Sequence, residues 1–263
     1  MRPTRRALPG PSSRHVLARG VVASGTPKGL IEGMRPTVLL FDIDGTLVTT
    51  GGVGRRAIER AFEHAYGQPQ ACATFRLDGM TDRAIVRTAI TALGAPCTDE
   101  AIDAVLKLYV AFLEEAVAQA DMSRYRVHPG MERAVDTAVS REGFAVGLGT
   151  GNIRDGARVK LSRVGLYDKF AFGGFGCDHE LRVELIRRGA ERGAERLGVP
   201  LSECRVVVIG DTPKDVSAAK GIGAECIGVG TGAFTAEQLR EAGAEKAFRT
   251  LEEPGALDAL LDS

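Results

Sequence analysis

The chain lacks an excess of charge of either sign. Its 263 residues carry 34 lysines and arginines against 34 aspartates and glutamates, so the formal net charge is zero. A neutral chain has no general electrostatic attraction to nucleic acid or to an anionic membrane surface. Long hydrophobic runs are also missing, because no segment approaches the ~18 consecutive apolar residues of a membrane-spanning helix. We therefore predict a protein that has no nucleic-acid or membrane partner.

Cysteine is scarce and follows no metal-binding pattern. The five cysteines are scattered, and no Cys-x-x-Cys pair occurs. Neither a zinc site nor a disulfide framework is indicated, and reduced thiols predict a cytoplasmic protein. The length and the 44% hydrophobic content suit one or two globular domains.

Residues 1–33 differ in composition from the rest of the chain. They hold six basic residues against one acidic residue, Glu32, with frequent Gly, Pro and Ser. A disordered tail, a basic transit-like sequence and a leader translated from an early start codon all fit this composition. Because the tetrapeptide Met-Arg-Pro-Thr of residues 1–4 recurs at residues 34–37, we favour a dispensable tail or a misassigned start.

The most informative feature is a pair of carboxylates at the end of an apolar run. Asp42 and Asp44 follow residues 38–41, Val-Leu-Leu-Phe, and precede a Gly-Thr turn. Such a run is typical of a buried parallel strand, and open α/β sheets bind ligands at the carboxyl ends of their strands. Two carboxylates at one strand end repel each other unless a cation joins them. The segment therefore predicts a hard metal ion and an oxygen-rich substrate.

Two further apolar runs end in polar residues. Residues 205–210 lead directly into Asp211, and Asp215 follows near the first turn of a helix that Pro213 could start. Residues 144–148 lead into Gly149, Thr150, Gly151 and Asn152, which bring a hydroxyl group and flexible backbone to a third strand end.

These three segments resemble the motifs of the haloacid dehalogenase superfamily. Asp-x-Asp-Gly-Thr at residues 42–46 matches the first motif, Thr150 the second, and Gly-Asp-Thr-x-x-Asp at residues 210–215 the fourth. The resemblance runs from about Thr37 to the C-terminus. Within the superfamily, the chain is similar to the phosphoglycolate phosphatase branch. It implies a doubly wound α/β core with a small helical cap inserted between the first two motifs.

The periodicity along the chain agrees with that architecture. Residues 55–66, 81–93 and 98–119 are predicted helices, with no strand pattern between residues 51 and 128. From residue 129 onward strands and helices alternate, which predicts a parallel sheet covered on both faces. We predict a core of residues 34–50 and 129–263 and an all-helical cap of residues 51–128. The predicted strands include a short one at residues 170–172.

The two aspartates of the first motif have different predicted roles. Asp42 is the natural nucleophile, because a carboxylate can form an aspartyl-phosphate without prior deprotonation. The resemblance implies that Asp44 is the general acid and then the general base. Asp42, Asp211 and the backbone carbonyl of Asp44 are the predicted Mg²⁺ ligands, and Asp215 is predicted to hold a metal-bound water or to orient a partner.

The basic residue of the third motif has two candidates. Relatives often place a Lys-Pro pair there, which this chain lacks. Arg182, at a helix start, is our choice, and Lys160 is the alternative. Thr150 and the backbone around Gly151 and Asn152 are predicted to donate to phosphate oxygens. Arg55 is a further candidate for binding substrate, and residues 79–83 are the candidate loop by which the cap selects it.

These predictions combine into one function. We expect a Mg²⁺-dependent phosphatase that hydrolyses a small soluble phosphomonoester through an aspartyl-phosphate, with phosphoglycolate as the candidate substrate. Two alternatives stay open: a phosphomutase, which uses the same two aspartates, and a non-catalytic binding protein with the same fold. The oligomeric state is not predicted.

Overall fold

The computed structural model describes residues 35–262, so the prediction for residues 1–33 lies outside the described part of the chain. The first apolar run forms a strand as predicted, and all five residues of this strand, Thr37–Phe41, are buried. The strands, numbered in chain order, are β1 (Thr37–Phe41), β2 (Val48–Thr50), β3 (Tyr125–Val127), β4 (Phe144–Gly149), β5 (Gly173–Gly174), β6 (Arg205–Gly210), β7 (Glu225–Val229) and β8 (Lys246–Phe248).

Six of these strands form one parallel sheet in the order β5-β4-β1-β6-β7-β8. The helices are α1 (Val53–Tyr66), α2 (Asp82–Ala92), α3 (Asp99–Ala118), α4 (Met131–Val139), α5 (Arg154–Ser162), α6 (Arg182–Leu197), α7 (Pro213–Gly221), α8 (Ala236–Glu241) and α9 (Ala256–Leu261). The strand order reverses at β1, and this is the doubly wound arrangement that the sequence predicts.

Helices cover both faces of the sheet. Leu39 and Phe41 of β1 pack in one apolar cluster with residues of α4, α5 and α9. Val38 and Leu40, which point to the other face, pack in a second cluster with residues of α6, α7 and α8. This alternation explains why β1 is apolar at every position from Val38 to Phe41, and it confirms the predicted fold class.

Helices α1 to α3 form a unit of their own between β2 and β3, which we call the insert. Its apolar side chains, among them Phe62, Ile90 and Leu113, pack in a third cluster. Thr81 and Thr98 cap α2 and α3, because their side chains accept hydrogen bonds from the backbone N–H of Ala84 and Ala101. The boundaries between core and cap stay a prediction.

Four short strands differ from the sequence prediction. β2 and β3 pair antiparallel at the base of the insert, and neither was predicted. β5 lies at Gly173–Gly174 and not at residues 170–172, and β8 was not predicted. Strands of two or three residues are too short to show an alternation of polar and apolar residues. Among residues 35–262, no helix has the length and apolar character needed to cross a membrane.

Candidate active site

The polar strand ends meet at one edge of the sheet. β1 lies between β4 and β6, with Phe41 in register with Leu148 on one side and Ile209 on the other. Asp42 comes directly after Phe41, and Asp211 comes two residues after Ile209, so their carboxylates lie close together. Residues 150–152 follow Leu148 on the other side of β1. Parallel strands put their carboxyl ends at the same edge, so this convergence follows from the topology.

Three carboxylates form the centre of the site. Oxygens of Asp42, Asp211 and Asp215 all lie within 4.8 Å of one another, and the three residues are 5%, 4% and 0% exposed. Burial raises the pKa of Asp42 to about 6, against the lowering effect of Arg182 and with a further increase from Asp215 and Asp44. Burial, then repulsion by Asp215 and Asp42, raises the pKa of Asp211 well above its usual range.

These residues fit a divalent cation. Three buried carboxylates carry three negative charges when ionised, and the Arg182 guanidinium, which pairs with Asp42 and Asp215, supplies one positive charge. Hard oxygen donors at this spacing are the ligands that Mg²⁺ prefers. Asp42, Asp211 and Asp215 are therefore the side chains that could hold it.

Two glycines, Gly45 and Gly232, enclose the Asp211 carboxylate. Asp211 Oδ1 accepts a hydrogen bond from Thr46 Oγ1 at 3.0 Å. Gly45 adopts the left-handed conformation, with φ of 83°, and a Cβ at Gly45 or Gly232 would overlap the Asp211 carboxylate. Thr231 donates to the Gly45 carbonyl at 2.5 Å and so ties the loop after β7 to the first motif.

Asp215 has two partners, one on each carboxylate oxygen. It is the third residue of α7 and completes a capping box: its Oδ2 accepts from the backbone N–H of Thr212 at 3.1 Å and from Thr212 Oγ1 at 2.7 Å. Its Oδ1 lies 2.9 Å from Arg182 Nε and 2.6 Å from Arg182 Nη2. Asp215 therefore positions Arg182 as well as starting the helix.

Arg182 links three parts of the site. Its Nη2 lies 3.0 Å from Asp42 Oδ1, and its Nη1 donates to the Gly79 carbonyl of the insert at 3.3 Å. Although burial alone would lower the pKa of Arg182, Asp215 and Asp42 raise it above its usual range. The guanidinium thus stays charged beside Asp42, where a phosphate group would add further negative charge.

Lys160 also reaches the site, but it contacts a different aspartate. Its Nζ donates to Asp44 Oδ2 and to Asn152 Oδ1, each at 2.6 Å. Asn152 Nδ2 donates in turn to Asp44 Oδ2 at 2.8 Å and to Thr150 Oγ1 at 2.9 Å. The Lys160 residue is 3% exposed, whereas the Asp44 side chain is 44% exposed. Lys160 and Asn152 therefore hold one oxygen of Asp44 and leave the rest of that carboxylate facing the cavity.

The insert closes over these residues through the end of the loop between α1 and α2 and the first residue of α2. Asp82 N–H donates to the Gly151 carbonyl at 2.8 Å, and Asp82 Oδ2 accepts from Ile153 N–H at 2.8 Å. Thr81 Oγ1 donates to the Glu180 carbonyl at 2.9 Å. Burial raises the pKa of Asp82 to about 6, although Lys160 opposes the shift. The loop thus contacts two of the core segments that carry candidate site residues.

A family model for haloacid dehalogenase-like hydrolases matches residues 36–223. The chain belongs to this hydrolase family. The match spans every candidate site residue from Asp42 to Asp215, and it confirms the superfamily that the sequence motifs resemble.

Other proteins resemble this haloacid dehalogenase-like hydrolase over most of its length. "Probable phosphatase IndB" of Dickeya dadantii (strain 3937) is 28% identical over 239 residues, which are 87% of this chain and 96% of that protein. The structure of CbbY from Rhodobacter sphaeroides in complex with phosphate has a TM-score of 0.64 at 19% identity, covering 86% of this chain and 100% of the other. A hydrolase from Pseudomonas syringae has a TM-score of 0.63 at 23% identity, covering 86% and 98%. These two structural likenesses show the fold.

The structure of this hydrolase places the sequence-predicted residues at different depths. Asp42, Asp44, Gly151, Asn152, Lys160, Arg182 and Asp211 line one cavity. Thr150 is fully buried behind Gly151, with its N–H on the Gly174 carbonyl. Arg55 lies at the mouth of the cavity and pairs with Glu59 of its own helix at 3.2 Å. The roles of these residues stay predictions.

Two parts of the site were not identified from the sequence. Tyr109 of α3 lines the cavity beside Lys160, but as one apolar position of a helix it carries no signal. The loop after β7, which holds Thr231 and Gly232, does carry a sequence signal. Its Gly-rich segment follows a buried strand in the same way as residues 149–152, so the strand-end argument applied there would have found it.

Proposed function

We propose that this hydrolase is a Mg²⁺-dependent phosphatase of the cytoplasm that cleaves a small-molecule phosphomonoester through an aspartyl-phosphate on Asp42. The observation that carries the proposal is the position of Asp42. Its carboxylate lies within 4.8 Å of those of Asp211 and Asp215, 3.0 Å from the Arg182 guanidinium, and on the wall of a cavity. The family match and the phosphatase relative support this class of reaction.

The first half of the reaction transfers the phosphoryl group. A carboxylate oxygen of Asp42 attacks phosphorus, and the bond from phosphorus to the alcohol oxygen breaks. Asp44, whose carboxylate faces the cavity, gives a proton to the departing alcohol oxygen. Arg182 balances the negative charge of the phosphoryl oxygens, and the N–H groups of residues 151–152 are candidate donors to them. Mg²⁺, when bound by the carboxylates, supplies further charge neutralisation.

The second half returns the enzyme to its starting state. Water attacks the phosphorus of the aspartyl-phosphate, and the bond from phosphorus to the Asp42 oxygen breaks. Asp44, now ionised, accepts a proton from that water, and inorganic phosphate leaves. Lys160 and Asn152 keep the Asp44 carboxylate in place for both halves, since they hold the same oxygen of it.

Phosphate release from an aryl phosphate tests the proposal. We expect turnover with Mg²⁺, loss of turnover when a chelator removes it, and recovery when Mg²⁺ is added back. A panel of metabolites, with phosphoglycolate among them, would then identify the substrate. Isomerisation that needs a bisphosphate, with little phosphate release, would instead indicate the phosphomutase. No reaction with any phosphate ester would leave the non-catalytic binding protein.

Asp44→Asn is predicted to slow turnover by about 10²–10⁴-fold, because this is the usual contribution of proton transfer by a positioned side chain. The loss should be smaller for aryl than for alkyl phosphates when phosphorylation limits the rate, since a good leaving group needs no acid. Steady-state rates on both ester classes measure this. Equal losses under that condition would contradict the acid role of Asp44.

Gly151→Ala is predicted to lower kcat/KM by about 10²-fold, the effect that a displacement near 1 Å can have on catalysis. A Cβ at Gly151 would overlap the Met80 carbonyl of the insert, and Gly151 makes the hydrogen bond to Asp82. Gly156→Ala is the matched control, because a Cβ there meets its neighbours at 3.6 Å or more. If both variants keep wild-type kcat/KM, contact between the insert and the core at this point does not matter for turnover.

A further inference from the structure

The cavity over Asp42 is larger than a two-carbon substrate needs. Its volume is about 700 Å³, and it is lined by the carboxylates and Arg182 of the core and by side chains of the insert. Pockets of this size take ligands of drug size, and they bind them mainly through apolar surface. The chemistry of the insert side therefore indicates what kind of alcohol the phosphate is attached to.

Five apolar side chains of the insert line the cavity. Phe75, Leu77 and Met80 are partly buried, pack on the apolar cluster of the insert, and line the cavity. Ile58 and Ile85 are buried beside them and line it too. We call these five residues the apolar wall. Side chains fixed on one side by the insert present a preformed surface, which loses little entropy when a ligand covers it.

Each cation that lines the cavity in residues 35–262 already has a carboxylate partner. Arg55 pairs with Glu59 at 3.2 Å, and Arg76 pairs with Asp78 at 2.9 Å. Deeper in the cavity, Lys160 pairs with Asp44, and Arg182 pairs with Asp42 and Asp215. A second anionic group on the substrate would have to share one of these cations with the carboxylate that already pairs with it. The insert side is therefore suited to a group without charge.

We propose that the alcohol released by this hydrolase is uncharged and has an apolar body, which packs on the apolar wall while the phosphate lies at Asp42 and Arg182. This inference rests on the proposed phosphatase function and specifies its substrate class. Phosphoglycolate, whose leaving group is short and carries a carboxylate, is then a poor substrate.

A series of alkyl phosphates tests the proposal. Ethyl, butyl, hexyl and octyl phosphate are titrated by calorimetry, with Mg²⁺ present, into the full-length Asp42→Asn protein. We expect each added methylene to tighten binding by about two- to fourfold, as partial to full burial of a methylene predicts. Affinity that does not change with chain length, or tighter binding of phosphoglycolate than of butyl phosphate, would overturn the proposal.

Turnover by the wild-type protein separates this inference from the proposed function. If kcat/KM also rises along the series, both hold. If binding strengthens with chain length but no ester is hydrolysed, the phosphatase fails and the apolar site stands. If aryl phosphates are hydrolysed without any dependence of binding on alkyl chain length, the phosphatase stands and the apolar site fails.

A substitution in the apolar wall tests whether the dependence of binding on alkyl chain length arises there. Leu77→Asn is expected to remove most of the chain-length dependence while it keeps the affinity for inorganic phosphate, which has no alkyl chain to pack on Leu77. Met122→Ser is the matched control, since Met122 is 46% exposed and outside the lining of the cavity; it should keep the full dependence. Unchanged chain-length dependence in Leu77→Asn would show that the alkyl chain binds elsewhere.

Discussion

Asp42→Asn is expected to abolish turnover and to leave the fold intact. The amide has nearly the size of the carboxylate, so the packing at the end of β1 is kept, but it is not a nucleophile and cannot form the aspartyl-phosphate. Burial and the acidic neighbours disfavour the ionised Asp42 carboxylate by more than Arg182 favours it, since together they raise its pKa to about 6. Removing that charge should therefore leave the Tm of the metal-free protein unchanged or raise it.

Two measurements check this expectation. Acid quenching during turnover should trap a phosphorylated wild-type protein and no phosphorylated Asp42→Asn protein. Thermal unfolding without metal should give a Tm no lower than that of the wild type. Asp168→Asn is the matched control, because Asp168 is an exposed carboxylate of the core outside the lining of the cavity. Hydrolysis by purified Asp42→Asn near the wild-type rate would remove Asp42 from the role of nucleophile.

Much of the sheet and of the carboxylate cluster can be predicted from local sequence. Asp42 and Asp211 each follow an apolar run that is too long and too regular to be a loop. Adjacent parallel strands necessarily bring such ends together. No single sequence segment specifies the order in which β4, β1 and β6 lie side by side. The right-handed crossovers of alternating strands and helices nevertheless restrict that order to few arrangements.

The partners of Asp44 could not be predicted in the same way. Lys160 lies in the last turn of α5, where a solvated face is the ordinary expectation for lysine. It is buried because Gly54 and Tyr109 of the insert pack against it, and the docking of the insert is a tertiary event. Local sequence therefore does not decide which of Arg182 and Lys160 is the basic residue of the third motif. Both reach the site, Arg182 at Asp42 and Lys160 at Asp44.

Substituting each of these cations by methionine should give different results. Arg182→Met leaves Asp42 and Asp215 facing each other without a counter-ion, and it removes the cation beside the phosphate position. We expect turnover to fall by about 10²–10³-fold, as when one preorganised donor is removed from a transition state. Phosphate affinity should fall too. Loss of one partner of a buried ion pair typically destabilises a protein by about 3–5 kcal/mol, so the Tm should also drop.

Lys160→Met should act on a different step. Lys160 pairs with Asp44 and not with Asp42, so phosphate affinity should change little while turnover falls. If the role of Lys160 is to hold Asp44, the fall should be steeper for alkyl than for aryl phosphates, as for Asp44→Asn. Lys160→Arg, which keeps the charge, should recover part of the rate on alkyl phosphates. Recovery would not be expected if the lysine only filled space.

Two measurements separate the roles of the two cations: phosphate affinity by calorimetry, and steady-state rates on both ester classes. Lys107→Met is the control, because Lys107 lies at an exposed position of α3. Arg182→Lys should restore turnover in part, because a lysine keeps the charge but cannot reach Asp42 and Asp215 with a rigid fork of donors. Loss of phosphate affinity in Lys160→Met with normal affinity in Arg182→Met would reverse the assignment. The phosphate would then bind on the Asp44 side of the first motif, where Asn152 and Lys160 lie.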